Sequence, residues 1–274
     1  MMFIKSYIKQ NKLLKKPALW ITRNIFVVFK NINFLYFFRA FSFIKDYLKF
    51  LKLGGRAKFI DLYPCLSDKT KTSTIDTHYF YQAIWGFNRI MKYSPRKHVD
   101  VGSDVNFVGM LTNITHVSFV DIRPLKLNIK NYKGLEGSIL NLPFKDNSIN
   151  SLSCFHVIEH IGLGRYGDDI DPDGSIKAAE ELKRVLQKDG FLFITIPMGI
   201  KSVQFNSQRI FSYKQVIDIF SELKLIEFSV VNMNGNFLEK IDIKDFSFDF
   251  NTGQDAGLGM FIFKKNISKK IIKN

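Results

Sequence analysis

Cysteine is scarce in this chain, with only Cys65 and Cys154 among 274 residues. Two thiols cannot build a disulfide framework, and they match no metal-ligand spacing. A reducing compartment is expected, with both side chains as buried thiols rather than nucleophiles. Acidic residues are nearly missing from the first part of the chain. Residues 1–58 hold thirteen Lys and Arg against Asp46 alone, which accounts for twelve of the formal net charge of +15. The remaining 216 residues carry about +3, so the basicity belongs to one segment. Long uninterrupted apolar runs are missing too. The stretch from Ile25 to Ile44 has the length of a membrane span, but Lys30, Asn31, Asn33 and Arg39 interrupt it. It is expected to lie on a surface rather than to cross one. Met1-Met2-Phe3-Ile4-Lys5 carries no continuous apolar region and no small-residue cleavage site, so export is not expected and a cytoplasmic location is.

What the first segment does contain is aromatic. Trp20, Phe26, Phe29, Phe34, Tyr36, Phe37, Phe38, Phe41, Phe43, Tyr47 and Phe50 crowd into residues 1–58. From Phe37 to Lys52 the pattern is helical, with Phe37, Phe41, Ile44, Leu48 and Leu51 on one face and Arg39, Ser42, Lys45, Asp46, Lys49 and Lys52 on the other. Such a basic amphipathic helix suits attachment to an anionic membrane surface, or equally a lid packed on the rest of the protein. Gly54-Gly55 closes this appendage, residues 59–75 form a polar linker, and an enzyme-like domain is expected over 76–274.

From Asp76 onward strand and helix alternate. A helix capped by Asp76 or Thr74 is expected through Tyr79, Gln82, Trp85 and Ile90 to just before Pro95. Strands follow near 97–102, 116–121, 136–141, 149–154 and 190–197, with helices near 105–112, 174–188 and 212–222. Two further strands near 224–233 and 259–264 make a hairpin with a long insertion. The fold class is α/β, with a doubly wound, mostly parallel sheet and an N-terminal helical appendage.

The strand ending at Asp100-Val101-Gly102-Ser103 delivers a glycine turn, and Asp121 lies 21 residues after Asp100 at the end of the next strand. An acid at that spacing accepts ribose hydroxyls in open α/β folds. The turn Asp100-x-Gly102-x-Asp104 lacks the G-x-G-x-x-G that brings backbone against a pyrophosphate, so an adenosine without phosphates is the better fit.

Five blocks in this order carry a resemblance: Asp100-Val101-Gly102, Asp121, Glu136 through Phe144, His156-Val157-Ile158-Glu159-His160, and Leu186 through Leu192. They resemble the signature blocks of class I S-adenosylmethionine (SAM) dependent methyltransferases, whose sheet is Rossmann-like. Within that superfamily the segments His78–Gln82, Gly162–Asp168 and Phe205–Ser212 more closely resemble a bacterial group known only as a domain of unknown function. The resemblance covers roughly residues 76–264. It implies SAM as cofactor, held by Asp100, Gly102, Ser103, Asp121, Ile122, Ser138, Ile139 and Leu140, with Asp100 either anchoring the turn or reaching the ligand's amino group through water. Ser138 stands where many relatives have an Asp facing the adenine amino group. Asp104 and Asn106 replace the second and third glycines of the relatives' turn.

His156-x-x-Glu159-His160 also matches the inverted zinc-peptidase motif, but Gly162 and Gly164 interrupt any helix there, and no metal is expected. His156, Glu159 and His160 are instead the candidates for base or acceptor positioning in direct methyl transfer. Arg165, Tyr166, Asp168, Asn206 and Arg209 follow the fourth and fifth strands and are candidates for the acceptor side, with Arg209 either holding an anion or pairing with a loop carboxylate. Asp173 is the expected cap of the helix that follows. The partner implied is a small-molecule or glycan-precursor acceptor, with a role in surface polysaccharide biosynthesis implied by the resemblance alone. The competing reading is a non-catalytic, methyltransferase-like scaffold at the membrane surface. Nucleic acid is disfavoured, because the charge lies in an aromatic segment and no base-flipping motif follows the fourth strand.

Overall fold

The computed structural model of the chain describes residues 34–59, 62–71, 73, 75–242 and 257–266. The chain divides into two compact units, residues 1–74 and 75–274. In the first, helix α1 (Phe34–Lys52) runs into a turn at Gly54, whose φ of +88° is the left-handed backbone that ends a helix. Tyr47 Oη donates to Ala57 O at 2.9 Å, and Arg39 donates to Leu66 O at 3.1 Å, so the following segment folds back along one side of the helix. The part of the basic appendage before Phe34 lies outside the described residues. No helix among the described residues is long and apolar enough to cross a membrane.

The second unit opens with α2 (Thr77–Tyr93), capped by Asp76, whose carboxylate accepts from His78 N and Tyr79 N. Its inner face carries Trp85 and Ile90 into the core. Strands β1 (Lys97–Val101), β2 (His116–Asp121), β3 (Tyr132–Glu136), β4 (Ile149–Phe155), β5 (Leu186–Met198), β8 (Leu223–Val231), β9 (Phe237–Leu238) and β10 (Gly257–Lys265) form one eight-stranded sheet. Its order is β3-β2-β1-β4-β5-β10-β8-β9. The first five strands are parallel, whereas β10 is inserted antiparallel between β5 and β8. Helices α3 (Val105–Leu111), α4 (Gly174–Val185) and α5 (Tyr213–Ile219) connect them. A hairpin of β6 (Ser202–Gln204) and β7 (Gln208–Ile210) follows β5.

The sheet buries both faces, as parallel sheets do. On one side Val101, Leu152, Ile194 and Phe261 pack with Leu182 and Val216. On the other Phe119, Phe155, Phe193 and Ile262 pack with Trp85 and Phe107.

Three expectations need correction, the first being that of the two cysteines only Cys154 is buried, Cys65 being exposed. The third strand lies at 132–136 rather than 136–141, because Ser138 Oγ accepts from Leu140 N at 3.1 Å and Ser138 O from Asn141 N at 3.0 Å, curling that stretch into a turn. Asp173 stands at the first position before α4, but its side chain makes no cap bond. The nearby carboxylate of Asp171 instead accepts from Asp173 N at 2.9 Å and pairs with Lys177 at 2.7 Å.

Candidate functional site

Connections on the two sides of β1 and β4 run in opposite directions, which opens a crevice beyond the carboxyl ends of these strands. Four strand ends meet there. Gly102 follows β1, Asp121 ends β2, Gly137 follows β3 and His156 follows β4, and all four line one cavity of about 240 Å³.

Gly102 has a φ of +68°, and a Cβ on it would stand 3.2 Å from Val157 Cγ2 and 3.7 Å from Asp121 Oδ2. Glycine is therefore needed both for the turn and for the open floor of the cleft. Asp121 Oδ1 accepts from Arg123 N at 2.7 Å, which fixes the carboxylate at the rim. Ile122, Ser138, Ile139 and Leu140 line the same cavity, with the Ile122 and Leu140 side chains exposed on it. Asp104, at the position where relatives carry glycine, is spent elsewhere: it caps α3 by accepting from Asn106 N at 3.0 Å and Phe107 N at 3.2 Å.

Ser103, expected at the cofactor, and Asp100, expected to anchor the turn or reach the ligand through water, are both buried beneath the floor rather than in it. Asp100 accepts from Ser103 N at 3.1 Å, Ser103 Oγ at 2.7 Å and Ser153 Oγ. Ser103 Oγ in turn accepts from Phe155 N at 3.0 Å. Complete burial pushes the Asp100 carboxyl up to about 6, against the hydrogen bonds that favour its charged form. These residues hold the turn in shape and do not face the cavity.

His156 is a non-glycine residue with φ +56°, a backbone conformation that only a well-braced site sustains. Its Nδ1 lies 2.7 Å from Glu159 Oε1, and the Glu159 side chain is fully buried. The outer atoms, His156 Nε2 and Glu159 Oε2, are both buried without a hydrogen-bond partner. The imidazole is stacked by Tyr79 at 5.3 Å and lies near His78 at 6.2 Å, both from the first turns of α2. Burial, followed by the nearby His156, holds the His78 pKa below its ordinary value. The stacking pair was legible only as part of the family-like segment His78–Gln82. Nothing in its spacing announced that α2 begins over the cleft.

His160 lines the cavity and donates from Nδ1 to Ser207 O at 2.7 Å, so its tautomer leaves Nε2 with a lone pair. Burial lowers its pKa despite the nearby Glu159, keeping the ring neutral. Ser207 belongs to the β6–β7 hairpin, which the sequence had not revealed. His156 and His160 do not share a helix, because Ile158–His160 is a single 3₁₀ turn and His156 precedes it in left-handed backbone. The inverted-peptidase geometry is not formed.

On the acceptor side, Tyr166 and Asp168 line the cavity. The guanidiniums of Arg123 and Arg165 lie over the Tyr166 ring at 5.6 and 5.1 Å. Asp168 is occupied by its own loop, accepting from Gly162 N at 2.6 Å and Tyr166 N at 3.2 Å. Burial alone would raise its pKa, but these backbone donors hold it below the usual range. Gly162, Gly164 and Gly167 all have positive φ in this loop. Asn206 only reaches Leu163 O at 3.5 Å. Arg209 forms no ion pair with a loop carboxylate among the described residues. Its Nη1 donates to Ile161 O at 2.5 Å and Ser175 Oγ at 2.9 Å, and its Nη2 to Asp171 O at 3.0 Å and Pro172 O at 3.1 Å. It clamps the loop to the start of α4 from outside the cavity.

Comparison with known proteins follows the same frame. A candidate sarcosine dimethylglycine methyltransferase from Galdieria sulphuraria superposes with a TM-score of 0.50 at 15% identity, over 81% of this chain and 98% of that one. The fold is that of the class I SAM-dependent methyltransferases. A family described as "Caenorhabditis protein of unknown function, DUF268" matches residues 120–242, the part of the class I fold that holds most of the cavity lining. An uncharacterized protein of Methanocaldococcus jannaschii is 30% identical over 121 residues, 41% of this chain. The match spans 47% of that relative, about half its length.

A nucleoside fits what the cleft presents. The floor at Gly102 is one that a Cβ would fill, a carboxylate stands at the second strand's end, and exposed apolar side chains line the third-strand turn.

Proposed function

We propose that this protein is a SAM-dependent methyltransferase acting on a hydroxyl of a small, carbohydrate-type acceptor. The observation that carries this reading is the buried His156–Glu159 pair beside a cleft floored by Gly102 and rimmed by Asp121. Asp121 would accept the ribose hydroxyls, Ile122, Ile139 and Leu140 would enclose the adenine, and Ser138 would meet its polar edge. SAM, when bound, supplies an activated methyl group on a sulfonium.

The chain's own residues supply the rest. An alcohol is a poor nucleophile until its proton leaves, so a base within reach matters more here than for an amine acceptor. With Glu159 accepting from Nδ1–H, the lone pair falls on His156 Nε2, a buried atom without another partner on a residue that lines the cavity. It takes the acceptor's proton. Glu159 keeps the tautomer and stabilises the imidazolium that forms. The neutral His160 and the Tyr166 ring, 5.7 Å apart and edge to face, orient the acceptor beside it. The carbohydrate class, and a place in surface polysaccharide biosynthesis, rest on the resemblance to the group of unknown function.

Titration calorimetry with S-adenosylhomocysteine, followed by transfer of labelled methyl to extracted glycan precursors, tests the proposal. Heat of binding together with label in the glycan fraction is the expected result. No heat at ligand concentrations well above the usual affinities would overturn it in favour of the scaffold.

A further inference from the structure

Helix α1 is arranged inside out. Phe37, Phe41, Ile44, Leu48 and Leu51 recur at helical spacing along one stripe, and all five are exposed: Phe37 by 70%, Phe41 by 69% and Leu48 by 59%. The side that its own unit does cover bears Arg39 and Tyr47, the residues bonded to Leu66 O and Ala57 O. A helix in a globular protein ordinarily turns its apolar stripe inward. Among the described residues of its own unit, some 21 Å of apolar stripe, at about 1.5 Å per residue, is left uncovered.

Charge identifies what covers it. Lys45, Lys49 and Lys52 run along one flank of the stripe, one turn from Phe41 and Leu48. The helix has a single acid, Asp46, on the side away from the stripe, 4.0 Å from Lys69. A second copy of this helix would bring no anion to those lysines. Nucleic acid would bring phosphates but no apolar layer for five exposed side chains. An anionic lipid surface brings both, with acyl chains below and phosphate head groups at the level of the lysines. We infer that α1 docks on an anionic bilayer, lying in the interface plane with Phe37, Phe41, Ile44, Leu48 and Leu51 in the acyl boundary and Lys45, Lys49 and Lys52 among the head groups. The acceptor class proposed above is not needed for this inference.

The full chain is tested by flotation with phosphatidylcholine vesicles, with and without about 30% phosphatidylglycerol. Binding is expected to anionic vesicles, at least tenfold weaker to neutral ones, and weakened by added salt. Phe41→Ser with Leu48→Ser should lower binding at least tenfold. A second variant, Lys45→Gln, Lys49→Gln and Lys52→Gln, keeps good helix formers and should reduce binding to the neutral-vesicle level with little remaining salt dependence. Unchanged S-adenosylhomocysteine binding by both variants separates loss of docking from loss of fold in the second unit. The inference is overturned by any of four results: no flotation at low salt, flotation indifferent to Phe41 and Leu48, a dimer dissolved by the Ser variant without vesicle binding, or binding to duplex DNA but not to vesicles.

Discussion

His98 and Asp100, two residues apart on β1, are joined through a single hydroxyl. Ser153 Oγ donates to Asp100 Oδ2 and therefore accepts from His98 Nε2–H, 2.8 Å away. That leaves His98 Nδ1 to accept from Ser151 Oγ at 2.8 Å. The tautomer of a fully buried histidine is thus set by the carboxylate under the cofactor floor, through the wall between β1 and β4.

This relay predicts opposed titrations. Burial pushes His98 down to about 3 and Asp100 up to about 6. Stability from a neutral His98 is complete above its ordinary 6.5 and is lost as pH falls towards 3. Stability from Asp100 is complete below its ordinary 3.8 and is lost as pH rises towards 6. At about 1.4 kcal/mol per pH unit the two nearly cancel between pH 4 and 6. Urea midpoints of the wild type should therefore vary little there on account of this pair. Asp100→Asn should become less stable on acidification, and His98→Gln more stable. Parallel slopes in the two variants would refute the relay.

Asp121→Ala should weaken S-adenosylhomocysteine binding by about 1.5–3 kcal/mol, roughly ten- to a hundredfold, while leaving the melting temperature within a few degrees. Calorimetry and a thermal scan on the same sample measure both. Gly102→Ala should lose affinity as well, because the new methyl enters the cleft beside Val157.

Substitution of the dyad should separate chemistry from cofactor binding. His156→Ala is expected to lower turnover by about 10²–10⁴. Glu159→Gln should lower it too, since its amide cannot stabilise an imidazolium as a carboxylate does. S-adenosylhomocysteine affinity should change less than threefold in both, by roughly 0.6 kcal/mol or less. A large loss of cofactor affinity in either variant would place the pair in the cofactor site.

Arg209→Leu should cost stability rather than acceptor affinity. Removing the guanidinium leaves the carbonyls of Ile161, Asp171 and Pro172 without that donor, at about 1–3 kcal/mol for each that stays buried. Denaturant unfolding gives the loss. An unchanged midpoint with a raised KM would restore the acceptor-binding role expected from sequence.

Much of this architecture could be read before the structure. The strands at 116–121 and 149–155 and the glycine turn after β1 announced themselves through alternation and spacing, because a parallel sheet writes short apolar runs that end in turn residues. The place of Asp121 at the end of β2 was legible for the same reason. Arg209 was not, since a sequence gives a guanidinium's charge but not whether carboxylates or carbonyls surround it. For Asp100 the sequence left two roles open, turn anchor or water-bridged ligand contact, because burial and exposure look alike at a strand's last polar residue; the bonds to Ser103 are those of a turn anchor. The left-handed His156 and the stacking from Tyr79 arise from contacts between segments nearly eighty residues apart, which no local pattern encodes.

The antiparallel β10 occupies an interior place in the sheet, paired on one side to β5 and on the other to β8. A polypeptide severed between Leu238 and Gly257 would not simply lose its last piece. It would leave two apolar ladders of unpaired amides and carbonyls facing a gap one strand wide, which is a template for a stray strand from another molecule. Clipped fragments of this protein should therefore be prone to cross-molecule strand exchange, and a separately supplied peptide spanning 257–265 should be able to plug the gap and restore solubility.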